Sequence, residues 1–551
     1  MSRWVKITQV FLGIVAAVLV ASLFFGGMVG GQNRDPEATP KPSGAPSAAP
    51  LPEGARLPGE PERPISEHAL LPAVENADAD RQLDYEAKGT PRVDFLDSLG
   101  DLRAYAEQKL DWKRCEDSEA SQCAKVTVPL DWDDPAGDAI EIAVRRVPDG
   151  DSSRGPLFVN PGGPGFGGQD MAESLAGRWP NYDTVGWDPR GTGESTHVVC
   201  GTLEQTDEIM NLDASPDDDA EDKALRAGGA DFATQCRDGS GKLLDHITTV
   251  DVVRDLDLLR HLLGAEKLNY VGVSYGTFVG AMYAELFPNS VGRLVLDAAV
   301  EITDEEPIPQ AAGFELALSN FAEWCGESSL CALGDSADQV MGDIDDFLQG
   351  LDATPLRVGD RKLTQSLAAT GIALFLYEDD SAYRGLAAMI GQAYSGDGAS
   401  MLRAADFMNG REDTGYETIA FAFPAMACVD EADEGAAVVL DDWRDTFPKA
   451  PVMAPNMGTS YTCQKWTAGS APRLKITAAG APTILVVGTT GDSATPYQQA
   501  VSMAEQLESG TLLTLEGAGH GAVTGDNSCI AKAVDGYLLD GNAPKDGTRC
   551  K

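Results

Sequence analysis

The chain has 551 residues, 43% of them hydrophobic, and a formal net charge of -44 from 86 acidic against 42 basic side chains. That length and apolar content allow a large core and more than one structural unit. The acidity argues against nucleic acid or an anionic membrane surface as partner; it suits cationic groups such as a free amino terminus, or solubility alone.

Arg3 and Lys6 precede an uncharged, mostly apolar run over residues 7–31. This reads as an export signal, and its length approaches the ~20 residues that span a bilayer. The residues around Val20-Ala21-Ser22 make a weak cleavage site, so retention as a membrane anchor is favoured over removal. The remainder would then lie outside the cytoplasm, secreted or anchored, with the membrane touched only by this segment. Residues 32–90 are rich in Pro, Ala, Gly and Glu and lack apolar periodicity, which reads as a disordered spacer.

From Lys125 the chain alternates strands and helices. Lys125–Leu130 and Ile140–Val147 suggest an opening hairpin. Pro156–Asn160, Tyr182–Trp187, Leu268–Val273 and Val291–Leu296 are apolar strand-like runs, and Val252–Leu263 has helical spacing. Thr483–Val487 and Thr511–Leu515 resume the strand pattern near the end. The implied fold is α/β, a mostly parallel sheet covered on both faces, in two parts at 91–304 and 471–551. Between them, residues 305–470 read as helical without a strand signal: Gly313–Trp324, Val340–Leu348, Ala368–Tyr377 and Tyr383–Tyr394. An insertion of helices between two sheet strands predicts a lid over the site.

Gly272-Val273-Ser274-Tyr275-Gly276 stands where a strand meets a helix, the setting that G-x-S-x-G requires to lift a serine Oγ above a sheet. Ser274 is the expected nucleophile; the bland alternative is a serine that caps the helix. The chain has five histidines, and of these only His520 follows Ser274. It lies in the glycine-rich loop Gly517–Gly521, from which a base could reach back. The acid is expected in the loop Gly488–Ser493 after the preceding strand, at Asp492, with Asp297 as rival; it would accept the imidazole Nδ1 proton. Oxyanion donors are expected at the backbone N–H of Tyr275 and of Gly163, within the loop Asn160–Gly165. Asp188 and Arg190 are expected to brace that region as a hydrogen-bonded pair.

The ten cysteines are even in number, follow an export signal and include no C-x-x-C, which argues for disulfides. Neighbours in sequence are expected to pair: Cys115 with Cys123, Cys200 with Cys236, Cys325 with Cys331, Cys428 with Cys463, and Cys529 with Cys550. No metal or organic cofactor is expected.

Taken together, Asn160-Pro161-Gly162-Gly163-Pro164-Gly165, Asp188-Pro189-Arg190-Gly191-Thr192-Gly193, the serine motif, Gly491-Asp492 and Gly519-His520 occur in an order that resembles the exported actinobacterial tripeptidyl aminopeptidases. These are relatives of the proline iminopeptidases within the α/β-hydrolases. The contexts of Cys325, Cys331, Cys428 and Cys463 resemble that family too, and the likeness runs from about Leu110 to Cys550. It implies release of short peptides from a free N terminus through an acyl-enzyme, with Ser274, Asp492 and His520 as triad and Gly163 with Tyr275 at the oxyanion. The sequence departs from the proline iminopeptidases at Asn160, where the loop usually begins with histidine, and at Asp297-Ala298-Ala299, which lacks the usual glycine.

An aminopeptidase needs a carboxylate for the substrate ammonium, and Asp430 and Glu323, each close to a lid cysteine, are the candidates; a solvated or structural acid is the alternative for each. An esterase or lipase-like hydrolase with the same triad, and a non-catalytic binding protein on the same fold, remain the competing functions.

Overall fold

The computed structural model describes residues 104–303, 308–430, 435–466, 471 and 474–551. The expected export segment and spacer, and His68, lie outside them. Among the described residues no helix is long and apolar enough to cross a membrane.

A ten-stranded sheet forms the centre. Its strands are β1 (Lys113–Arg114), β2 (Gln122–Pro129), β3 (Ala139–Val147), β4 (Gly155–Asn160), β5 (Tyr182–Trp187), β6 (Leu268–Val273), β7 (Val291–Asp297), β10 (Ile484–Gly491), β11 (Gly510–Ala518) and β12 (Thr548–Cys550). Their spatial order is β1-β2-β3-β5-β4-β6-β7-β10-β11-β12. β2 and β3 form the antiparallel opening hairpin, and every pair from β5 to β12 is parallel. The central strands are apolar along their length because both faces are covered. Successive side chains sort to opposite faces as strand geometry demands. Phe158, Tyr270, Leu294, Leu296, Ile484 and Val486 enter one core, while Leu157, Val159, Val271, Val295, Leu485 and Val487 enter the other.

Helices α1 (Gln169–Ser174), α2 (Leu203–Met210), α3 (Asp219–Ser240), α4 (Thr249–Leu262) and α5 (Tyr275–Leu286) come from the first part of the body. The insertion then supplies α6 (Gln310–Glu327), α7 (Ala337–Ala353), α8 (Gln365–Leu376), α9 (Tyr383–Tyr394), α10 (Ala399–Met408) and α11 (Ile419–Asp430). Two findings differ from the sequence reading of this stretch. It contains a two-stranded hairpin, β8 (Leu356–Val358) with β9 (Arg361–Leu363). Its tight turn is made possible by Gly359 at φ 60°, a backbone region that glycine enters without a Cβ penalty. The stretch also divides. Helices α6 to α10 share a core of their own, whereas Phe421, Met426 and Val429 of α11 pack into the main body.

The cysteines pair neighbour with neighbour: Cys115–Cys123, Cys200–Cys236, Cys325–Cys331, Cys428–Cys463 and Cys529–Cys550.

Candidate active site

β6 runs straight into α5 through Ser274, whose backbone has φ 57° and ψ -128°. A serine at positive φ is strained, and the surroundings must hold it there. Ser274 N–H donates to the Asp297 carbonyl at 3.0 Å, and Thr277 N–H to the Ser274 carbonyl at 2.8 Å. The flanking glycines are required by contact: a Cβ on Gly272 would lie 2.3 Å from the Gly276 carbonyl oxygen, and one on Gly276 would lie 2.7 Å from that of Asn160. Tyr275 opens the helix, so its N–H has no partner within the helix.

The loop after β4 passes over this turn. A Cβ on Gly162, which has φ 96°, would sit 2.9 Å from both Ser274 Cβ and Tyr275 N. Gly162 N–H donates to Asn160 Oδ1 at 2.9 Å, so Asn160 braces the loop that it begins. Gly163 follows at φ 108°. The first turn of α11 covers the loop: Cβ positions on Gly163 and Gly165 would fall 3.4 and 3.0 Å from Ile419 Cδ1.

His520 follows β11 and Asp492 follows β10, and both are buried. The imidazole Nδ1 and Asp492 Oδ1 are 2.8 Å apart, a bond in which a proton on Nδ1 is donated to the carboxylate. Asp492 is held in turn by the N–H groups of Ala494 at 3.0 Å, Thr495 at 2.9 Å and Gly521 at 3.3 Å. Burial by itself would lower the basicity of His520; the charge and hydrogen bond of Asp492 outweigh it and hold the imidazole above its ordinary value. His520 N–H donates to the Tyr377 carbonyl at 2.8 Å, and the Tyr377 ring stands edge-on to the imidazole with centroids 5.2 Å apart. The loops of nucleophile and histidine meet, since a Cβ on Gly521 would lie 3.8 Å from Val273 Cγ1. The rival acid, Asp297, instead bonds the backbone of Ala522 and Val523.

The other expected residues fall as follows. Asp188 and Arg190 do not bond one another. Asp188 accepts from Gln169 Nε2 and from Glu194 N–H, both at 2.8 Å. Arg190 makes a buried bidentate pair with Asp255, each bond 2.7 Å. A fully buried guanidinium needs a fork-shaped acceptor facing it, which Asp255 on α4 provides and a residue two positions away does not. Both Asp430 oxygens go to Thr249, from its N–H at 2.9 Å and its hydroxyl at 2.6 Å; that hydroxyl also lies 2.6 Å from Tyr275 Oη. Asp430 thus meets the start of α4, where a carboxylate is favoured by the helix dipole. Glu323 is exposed on α6.

Sequence reasoning missed Glu378. It directly follows Tyr377, and its backbone abuts the histidine loop, with a Cβ on Gly519 falling 3.4 Å from Glu378 C. Its side chain is half-buried and accepts no hydrogen bond among the described residues. Burial, then the neighbouring charge of Asp379, pushes its carboxyl up to about 7. The available signal was an acid placed directly after the buried helix α8.

Comparison with known proteins finds relatives among serine peptidases and carboxylesterases. A family model described as TAP-like protein matches residues 450–550. The serine protease Hip1 of Mycobacterium tuberculosis is 33% identical over 80% of this chain and 91% of its own length. The tripeptidyl aminopeptidase of Streptomyces lividans is 31% identical over 85% of this chain and 90% of its own. Carboxylesterase B of Mycobacterium tuberculosis is 34% identical over 80% and 89%. With its parallel sheet, serine elbow and late histidine, this chain belongs to the tripeptidyl aminopeptidase-like family of serine peptidases on the α/β-hydrolase fold.

Proposed function

We propose that the protein is an extracytoplasmic aminopeptidase that releases short peptides, tripeptides foremost, from free N termini through an acyl-enzyme. The observation that carries this reading is the buried 2.8 Å contact of His520 with Asp492 in loops that meet the strained turn of Ser274. In the first step His520 Nε2 takes the Ser274 hydroxyl proton as Oγ attacks the scissile carbonyl carbon. Asp492 holds the Nδ1 tautomer and stabilises the imidazolium. The N–H groups of Tyr275 and Gly163 receive the oxyanion. The imidazolium then protonates the departing amine, and water, deprotonated by the same histidine, hydrolyses the ester. Five disulfides and the expected export segment support action outside the cytoplasm.

Glu378 is the carboxylate we assign to the substrate ammonium, in preference to Asp430 or Glu323. A half-buried acid without a donor is poised for a cationic partner, which would also lower its pKa. A second reading, an esterase, draws on the carboxylesterase relative. Tripeptide nitroanilides with free and N-acetylated termini, assayed beside short acyl nitrophenyl esters, separate the two. The expected result is turnover of the free-amine peptide at least ~100-fold above the blocked one, with Glu378→Gln raising KM for the free amine about 10-fold and leaving acyl esters unchanged. Preference for esters, with indifference to the amine, would establish the esterase instead.

A further inference from the structure

Asp297 ends β7 fully buried, yet the reaction just outlined gives its side chain no task. Its main-chain carbonyl accepts the Ser274 N–H at 3.0 Å. Its carboxylate accepts Ala522 N–H at 3.1 and 2.8 Å and Val523 N–H at 2.8 Å. One residue therefore grips the backbone of the nucleophile at one end and the loop of His520 at the other. Gly521 crosses directly above, where a Cβ would lie 3.2 Å from Asp297 Oδ2. Arg178, just beyond α1, fastens the same loop by donating Nη2 to the Val523 carbonyl at 2.6 Å. A buried carboxylate is costly unless its hydrogen bonds are complete, so the site is built for a charge and not for filling space.

We propose that Asp297 is a positioning residue for this hydrolysis, seating the His520 loop against the turn of Ser274. The inference rests on the roles given above to Ser274 and His520. The charged groups facing Asp297 are Asp492 and His520 from the loops after β10 and β11, and Arg178, which Asp526 and Asp535 face in turn. Asp492 acts first in raising His520, and Asp297 adds to it. Burial pushes the Asp297 carboxyl up to about 6 in spite of its backbone donors.

The test is Asp297→Asn in the full chain, assayed with a free-amine tripeptide nitroanilide and normalised to the fraction of sites that a fluorophosphonate labels. Asparagine keeps one acceptor oxygen and removes the charge. The expected result is kcat per labelled site about 10-fold lower with KM within about 3-fold, and an acid limb of kcat, read in the complex where Glu378 is already paired with the substrate ammonium, moved to lower pH. A role in folding alone would lower the labelled fraction or Tm while leaving kcat per site and the acid limb unchanged, and that result overturns the proposal. Full activity in Ser274→Ala would be a different failure, that of the hydrolase reading itself.

Discussion

Ser274, Asp492 and His520 lie far apart in sequence, and backbone contacts more than side-chain packing seat them. The elbow is held through Ser274 N–H, the acid through Ala494 and Thr495, and the histidine through Tyr377. Because Asp492 raises the imidazole above its ordinary value, the base is charged, and idle, to a higher pH than a free histidine. The acid limb of kcat/KM should therefore be half-complete above about 6.5, the value of an unperturbed histidine. Asp492→Asn should lower kcat by about 10⁴-fold, because the amide presents an N–H where Nδ1 needs an acceptor. A pH–rate profile of wild type and variant checks both; an unshifted limb in the wild type, or a loss under tenfold in the variant, would contradict the assignment. The meeting of Asp492 with His520, in loops beside the turn of Ser274, was legible in the sequence because the motif and chain order single those residues out. The partners of Asp297 and Arg190 were not. Asp297 meets Ala522 across 225 positions, and Arg190 meets Asp255 across 65, through strand and helix placements that no local pattern encodes.

Among the elements, the sheet was the easiest to read. Its central strands are short apolar runs ending in loop residues, and their two-sided burial leaves little room for another assignment. The lid was harder. The β8–β9 hairpin is made of short strands carrying Arg357, Arg361 and Lys362, too polar to stand out beside helices. Helix α11 reads like the other lid helices but belongs with the main core, since apolar periodicity reports that a face is buried and not against what. That helix covers the oxyanion loop and is tied by Cys428–Cys463, which closes a sequence separation of 35, against 6 for Cys325–Cys331. Longer closed loops lose more entropy on cross-linking. Replacing Cys428 and Cys463 by Ser should cost about 2–4 kcal/mol of stability, and more than the same change at Cys325 and Cys331. Thermal unfolding of the two double variants tests the order; a larger fall in Tm for the Cys325 and Cys331 variant would reverse it.

At the scale of the whole molecule, one parallel sheet places Gly163, Ser274, Asp492 and His520 just beyond the ends of β4, β6, β10 and β11, and a helical cluster with its own core supplies Tyr377 and Glu378 against the histidine loop. The body presents a strongly acidic chain to solvent, which suits an amine-bearing substrate without selecting one. Under the function proposed above, the substrate ammonium is met where the helical cluster joins the body, the part least accessible to reading along the chain. The central claim is that Ser274 is a nucleophile made reactive by His520. Its most direct measurement is mass mapping of the intact protein after reaction with a fluorophosphonate, in wild type and in His520→Ala. The account predicts one adduct per chain, on Ser274, formed at least ~100-fold more slowly without the imidazole. An adduct on another residue, or one on Ser274 that forms as fast in the variant, would contradict it.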